Sequence, residues 1–383
     1  MKKQTYFLWF LVLVLMSAMP VGGQIIPARS PINIPDIPGY LTLKCDFHTH
    51  TVFSDGNVWP SVRAEEAWRE GLDAIAITDH IEYQPHKNDI PTNHSRSFEI
   101  AKQHGDALGI TIIRGSEITR KMPPGHINAI FLKSNPPLDT EDWRDAVRIA
   151  AEQGAFIFWN HPGWTGQQVD SLARWYPEHS ELLEKGLIHG IEVVNDTSYY
   201  PEVHRWCLEK NLTMLGNSDI HDPIGMRFDA TLGQRRAVTL VFAKENTPEA
   251  IQEALKARRT AVLFKGNLIG RAEYLEPIFK ASVKVLNPAV TVRGRGSAYI
   301  QIKNTSDINY ELENSAQFEE VDFPDRLTLV AGKTVLLRAR GKQLETTGKK
   351  TFELNYTVKN LKLTPEERLK VVIPVEITFV PAQ

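Results

Sequence analysis

The sequence predicts two domains: an α/β domain of parallel type over residues 41–276, and an all-β sandwich of immunoglobulin-like type over 277–383. Three observations carry this. Up to about residue 276, short apolar runs alternate with stretches of helical periodicity. Six of those runs begin or end at a histidine or carboxylate, and the carboxyl edge of the strands is where parallel α/β folds assemble their sites. The last histidine is His221, and after Leu275 apolar residues alternate with polar ones between turn signals. Strand-end placement favours a barrel over an open sheet.

Taken in order, the chain opens on what reads as a secretory signal: Lys2 and Lys3, the apolar stretch Tyr6–Met16, then small residues to Gly22 and Gly23. That apolar core is too short for a stable span. Cleavage is expected near Gly23 or Gln24, leaving a linker over 24–40 and a periplasmic or secreted protein without a membrane span. The strand Leu41–His50 sends His48 and His50 to one face by alternation, and Asp55 follows in a Ser-Asp-Gly turn. A helix over Pro60–Gly71 opens on Pro, closes on Gly, and can bury Val62, Ala67 and Trp68. Ala74–Ile77 is a strand leading to Asp79 and His80, and Ile110–Glu117 ends in a glutamate. Gly125 and His126 open the strand Ile127–Leu132. Helical spacing over Thr140–Gln153 is followed by a strand from Ala155 that reaches His161. A helix over Glu202–Lys210 precedes a strand from Thr213 that ends in Asp219-x-His221, and Thr247–Ala257 is a further helix. Beyond Pro277, strands are expected at Ser282–Leu286, Ala298–Lys303, Leu327–Val330, Thr334–Ala339, Phe352–Val358 and Val371–Phe379, with one helical turn at Thr364–Arg368.

A lone His-x-His is weak, but its recurrence with carboxylates at one strand edge points to metal. Imidazole and carboxylate without thiolate suit Zn, Mn or Fe rather than an iron–sulfur cluster. The ordered set His48-x-His50, Asp55, Thr78-Asp79-His80, Glu117, His126, Asn160-His161-Pro162 and Asp219-x-His221 resembles the PHP (polymerase and histidinol phosphatase) superfamily over residues 41–270. The leader and β-rich tail make it most similar to secreted bacterial organophosphate phosphodiesterases. The resemblance implies a distorted seven-stranded β/α (TIM-like) barrel and three divalent ions (Mn, Zn or Fe). It places the first on His48, His50, Glu117 and Asp219. Glu117 bridges to a second held by His126 and His161, and Asp55, His80 and His221 hold the third. It implies hydrolysis of a phosphate ester, a diester before a monoester, by a metal-activated hydroxide attacking in line. The alternatives are a phosphomonoesterase, an amidohydrolase on a related barrel, and a non-catalytic metal- or phosphate-binding protein.

Around these ligands, Asp79 is expected to orient a histidine or a loop amide. Arg120, with Lys121 beside it, and Arg227 are the cations in reach of a phosphoryl oxygen. Trp59, Trp164, Tyr199 and Tyr200 are candidate pocket walls. His86, His94, His104, His179, His189 and His204 lack strand-end placement and read as surface or loop residues. Cys45 and Cys207 are the two cysteines, expected as free buried thiols rather than a bridge. Residues 24–276 carry 26 Lys and Arg against 34 Asp and Glu, and residues 277–383 carry 16 against 12. An acidic catalytic domain argues against bulk nucleic-acid binding and for a small phosphate ester. The C-terminal domain is expected to pack on the barrel, shape the pocket mouth, or form a homo-oligomer contact.

Overall fold

The computed structural model describes residues 28–91, 93–229 and 232–382. The expected leader over 1–23 lies outside the described residues. The α/β domain contains strands β1 (Leu41–Asp46), β2 (Ala74–Ile77), β3 (Thr111–Ile118), β4 (Ile127–Ile130), β5 (Phe156–Trp159), β6 (Gly190–Asn195), β7 (Ser198–Tyr199), β8 (Thr213–Asn217), β9 (Val238–Ala243), β10 (Thr260–Phe264) and β11 (Asn267–Gly270). Its helices are α1 (Pro60–Arg69), α2 (Arg96–Leu108), α3 (Trp143–Glu152), α4 (Pro177–Glu184), α5 (Pro201–Glu209), α6 (Ile224–Arg227), α7 (Pro248–Lys256) and α8 (Ala272–Ser282). Helix ends follow local chemistry. The Asp142 side chain accepts from Arg144 N ahead of α3, and Thr247 accepts from Ala250 N at the start of α7. Gly109, at φ +71°, closes α2, a helix the sequence reading passed over.

The strands run β1-β2-β3-β4-β5-β6, with β8 beside β6. Pairings are parallel except at β4, which is antiparallel to both β3 and β5. The loop from β3 to β4 is too short for a parallel crossover, which needs a dozen or more residues, so the chain turns back as a hairpin. The amino end of β4 thus lies at the carboxyl edge of its neighbours. The path returns to β1 at that edge only: Asp219 N donates to His48 O at 3.0 Å and His50 N to Ile220 O at 3.1 Å. Lower down, β9 pairs antiparallel with β1, and its Thr239 hydroxyl bonds Gly216 of β8 on both sides. The strand expected over Leu41–His50 leaves the ladder after Asp46, because Phe47 N bonds the Asn217 side chain.

The Ig-like domain holds β12 (Val283–Val285), β13 (Ala289–Arg293), β14 (Ser297–Asn304), β15 (Tyr310–Asn314), β16 (Val321–Asp322), β17 (Arg326–Leu329), β18 (Thr334–Gly341), β19 (Gly348–Lys362) and β20 (Arg368–Val380). They form two layers, β12-β14-β18-β16 and β13-β20-β19 with β15 and β17. The expected boundary at Pro277 falls inside α8, so the β region begins at Val283. The helical turn expected at Thr364–Arg368 is a bend joining β19 to β20, held by Leu363 N to Glu367 O at 3.0 Å. β11 pairs parallel with β19, so one sheet passes from the first domain into the second.

Cys45 and Cys207 are free, buried and in separate core clusters. His179 and His204, expected at the surface, are fully buried. His179 stacks on Trp159 with ring centroids 3.6 Å apart, and His204 pairs with the Tyr199 hydroxyl at 2.9 Å. His189 is half-buried and its Nδ1 accepts from Ile157 N. His179 spends both ring nitrogens on local partners and His204 and His189 one each, which strand-end position could not reveal.

Candidate metal centre

The carboxyl edge gathers residues from six strand ends. His48 and His50 come from the extension of β1, His80 follows β2, and Glu117 lies near the end of β3. His126 precedes the reversed β4, His161 follows β5, and Asp219 and His221 follow β8. Backbone strain marks two of these turns: His161 and Asp219 hold φ of +28° and +52°. Glu117 is the hub. Its Oε2 lies 3.2 Å from His48 Nε2, 3.2 Å from His50 Nε2 and 3.1 Å from His80 Nδ1, and its Oε1 lies 2.8 Å from His126 Nδ1 and 3.5 Å from His161 Nε2. Asp219 Oδ1 is 3.1 Å from both His48 Nε2 and His50 Nε2. Asp55 Oδ1 faces His221 Nε2 at 3.2 Å and His80 Nε2 at 3.4 Å.

These atoms form overlapping groups whose donors all lie within 4.8 Å of one another. One is His50, Asp55, His80 and His221; others join His48 and His50 to Glu117, His48 and His161 to Asp219, and His80 and His126 to Glu117. All nine expected ligands are therefore brought together, with His50 and His80 each standing between groups. Divalent cations fit this donor set. His50 Nε2 and Asp55 Oδ1 are buried atoms without a hydrogen-bond partner, and both aim into the cluster. Electrostatics agree. Burial opposes charge on His48, yet Asp219, Glu192 and Glu117 hold its imidazole well above the ordinary range. Burial likewise opposes the His50 proton, but Asp219 and Glu117 push that ring up to about 9. For His126 burial wins and the ring is lowered. Asp55, Glu117 and Asp219 lie far below normal carboxylates because the imidazoles outweigh their burial. Buried Glu117 with half-buried Asp55 and Asp219 calls for positive charge, and protons supply it only by occupying the lone pairs that face them.

A PHP domain model matches residues 46–185, and an Ig-like domain model matches residues 283–374. A two-domain protein from Bacteroides vulgatus, described as containing a predicted PHP-like metal-dependent phosphoesterase, is 46% identical to this chain. Its crystal structure matches with a TM-score of 0.85, over 92% of this chain and 100% of that one. The chain belongs to the PHP-like metal-dependent phosphoesterase family. An uncharacterized protein of Methanocaldococcus jannaschii is 39% identical over 139 residues, 36% of this chain. The chain spans about half the length of that curated relative, 55%.

Behind the PHP centre stands a residue that sequence reasoning missed. Glu192, fully buried on β6, accepts from His48 Nδ1 at 2.9 Å, Asn217 Nδ2 at 2.9 Å, Asn195 Nδ2 at 2.8 Å and His161 N at 2.7 Å. The His48 proton is thereby held on Nδ1, and Nε2 turns its lone pair to the cluster. A signal existed: Glu192 is the one charged residue in the run Gly190–Asn195. Arg63, also fully buried, donates to the carbonyls of His50, Ile220, His221 and Asp222 at 2.9–3.2 Å, tying the His-x-His segment to the Asp-x-His turn. Asp79 bonds Thr51 N, Thr51 Oγ1 and Ser54 Oγ at 2.7–2.8 Å, and so orients a loop rather than a histidine.

The PHP pocket above the cluster has a volume of about 410 Å³ and is lined by Tyr83, Trp164, Asn195, Asp196, Asp222 and Arg227 among others. Arg227 stands at its mouth, paired with Asp196 through Nε at 2.9 Å and through Nη2. Arg120 is not in the pocket: it pairs with Glu82 and donates to the Thr119 and Thr140 carbonyls, so its charge is already committed. Of the four aromatic candidates, Trp164 alone lines the pocket, its ring 5.3 Å from His161 and 5.7 Å from His126. Trp59 packs on Phe53 instead, Tyr200 is buried, and Tyr199 serves His204. Tyr83 also lines the pocket, its ring 5.9 Å from His80.

Proposed function

We propose that this chain is an exported metal-dependent phosphodiesterase that hydrolyses a small phosphodiester to a monoester and an alcohol. One observation carries the reading: six imidazoles converge on Asp55, Glu117 and Asp219 beneath a pocket large enough for a phosphate ester. The assignment is His48, His50, Glu117 and Asp219 to a first cation, Glu117, His126 and His161 to a second, and Asp55, His80 and His221 to a third. Bound divalent cations supply Lewis acidity toward the phosphoryl oxygens and a nucleophile from water at neutral pH.

The chain's own residues position and select. Glu192 and the Asp219 carbonyl, which accepts from His221 Nδ1 at 2.7 Å, fix the rings of His48 and His221 so that Nε2 faces inward. Glu117 and Asp219 spread negative charge across the cluster. Three divalent cations would bring six positive charges against the four carboxylates Asp55, Glu117, Asp219 and Glu192. Once the hydroxide nucleophile is counted, about one positive charge is left for substrate, which favours a singly charged diester over a doubly charged monoester. The mouth agrees: Arg227 is the only Lys or Arg among the described lining residues, and Asp196 already half-neutralises it. Trp164 and Tyr83 offer aromatic walls to the ester groups. In the overall reaction water oxygen bonds to phosphorus, one ester P–O bond breaks, and a proton passes to the departing alkoxide.

The test is hydrolysis of a nitrophenyl phosphodiester and the matching monoester by Mn- or Zn-loaded mature protein, compared by kcat/KM. Preference for the diester is expected. Preference for the monoester makes the protein a phosphatase, and cleavage of neither with metal bound moves it to the binding-protein or amidohydrolase reading. Export is tested separately, by whether the mature chain begins near Gln24.

A further inference from the structure

A second cavity, of about 610 Å³, lies where the two domains meet. That volume is within the range of about 300–1,000 Å³ of small-molecule sites. Five stretches remote in sequence wall it: Ile32 and Ile34, Thr197, Arg227 and Phe228 with residues 233–236, the β10–β11 turn, and Asp307 with Ile308 of the Ig-like domain. Neither domain makes it by itself. Ile32, Ile34, Phe228 and Ile308 are at most 6% exposed and form the apolar part of the depth, beside the buried, ion-paired Arg236.

Most of its charges are already used. Arg236 is held by Asp46 at 2.9 Å and Glu70 at 2.6 Å, and Asp307 accepts from Asn33 N at 2.8 Å. Two cations differ. Lys265 Nζ reaches the Thr197 carbonyl at 3.1 Å and Arg235 Nη1 the Glu70 carbonyl at 3.4 Å, and neither forms an ion pair with a described residue. Each therefore keeps donors free for an anion at the cavity rim. The cavity also adjoins the metal pocket. Arg227 lines both; its partner Asp196 lines the metal pocket, and the next residue, Thr197, lines the cavity. One ion pair stands at the junction.

We propose that this interdomain cavity receives one alcohol arm of the substrate, an apolar stem ending in an anionic group such as a carboxylate or phosphate. The proposal rests on the phosphodiesterase reading above. The stem lies against the buried isoleucines and Phe228, Lys265 and Arg235 take the terminal anion, and Arg227 meets the phosphodiester where the two recesses join. The Ig-like domain thereby acts in substrate selection, through Ile308 and its neighbours.

Two measurements on the full chain test it. The first is calorimetric binding of octanoate and of octanol to metal-free protein. Octanoate is expected to bind more tightly, and Lys265→Glu or Arg235→Glu to weaken it about tenfold while leaving octanol unchanged, as a lost charge-assisted contact would. Octanoate binding that is absent, or unaffected by both variants, overturns the site. The second is kcat/KM of metal-loaded protein for two 4-nitrophenyl diesters, one with a methyl and one with a 7-carboxyheptyl arm. About a tenfold preference for the charged arm is expected, lost in Lys265→Glu with the methyl ester's rate unchanged. Equal rates with octanoate bound make the cavity a separate ligand site and overturn the arm assignment. Cleavage of neither diester overturns the phosphodiesterase reading and the arm assignment with it, while the octanoate result still decides whether the cavity binds anions.

Discussion

The two domains bury their strands in opposite ways. β2, β4, β5, β6, β8 and β9 are buried along their whole length, whereas β18 and β20 bury every second residue. In an alternating strand a polar residue faces water and needs no explanation. In a strand covered on both faces it must be desolvated, and it survives there only with partners. Accordingly Asp46, His48, His50, Glu117, Glu192 and Asn217 are all completely buried near one sheet edge. The Ig-like domain's buried polar residues do a different job: Asn304 bonds the Ile308 and Leu329 carbonyls at 2.7 and 2.9 Å and closes turns. In the fully covered strands buried charged residues such as Glu117 and Glu192 serve the cluster, while hydroxyls such as Thr239 tie strands together; in the alternating strands the buried polar residues close turns.

Substitutions should break this contrast in opposite directions. Glu117→Gln is expected to lower metal content and turnover by more than the roughly 10–100-fold typical of residues one step behind a metal ligand, with the melting temperature of metal-free protein little lowered. Elemental analysis with kinetics decides it, and full metal content with retained activity would sink the hub assignment. Its mirror is Leu354→Ala in the Ig-like core: a stability loss of about 2–5 kcal/mol by denaturant titration, with metal content unchanged. Arg63→Met should do both, since it strands the carbonyls of two ligand loops. About 3–5 kcal/mol is expected, as when one partner of a buried pair is removed, with less metal bound even at temperatures where the variant is folded. Normal metal content in folded Arg63→Met protein would reduce Arg63 to a purely structural role.

Smaller effects sharpen the picture. Glu192→Gln keeps shape and should weaken metal affinity by about 10–100-fold through His48 orientation. Unchanged affinity would mean that Asn217 and Asn195 position the ring without it. The smallest effect is in pH. His50 is raised from 6.5 to about 9 in the metal-free protein, so its stabilising contribution is complete below 6.5 and is lost as pH rises to about 9. A cation binds Nε2 only by displacing that proton. Metal loading at neutral pH should release protons, and affinity should rise with pH up to about 9; calorimetry in buffers of different ionisation enthalpy measures the release.

Much of this was open to one-dimensional reading. His48, His80, Glu117, His161 and Asp219 could be picked out because a strand end is a local event, visible as an apolar run that stops on a polar residue. Alternation likewise revealed β14, β18 and β20. Of the short strands β12 and β17 were anticipated and β13, β15 and β16 were not, since two to five residues carry little periodicity. Arg120 was misjudged because closeness in sequence to Glu117 says nothing about which way a loop turns; Glu82 claimed its charge. The side-chain partners Glu192 and Arg63 were missed because their roles exist only across strands: Glu192 meets His48 from 144 positions away, and Arg63 meets Ile220 from 157.

By itself, then, the sequence determined which residue types carry the chemistry and that they sit at strand ends, since periodicity and punctuation are properties of neighbouring residues. Only the tertiary structure decided the rest. It turned β4 around so that His126 joins the other ligands, and it set Glu192 and Arg63 behind them. It brought Ile32, Lys265 and Ile308 to one cavity. Each of these depends on how distant segments pack, and packing is settled by the shared burial of the whole sheet rather than by any stretch within it.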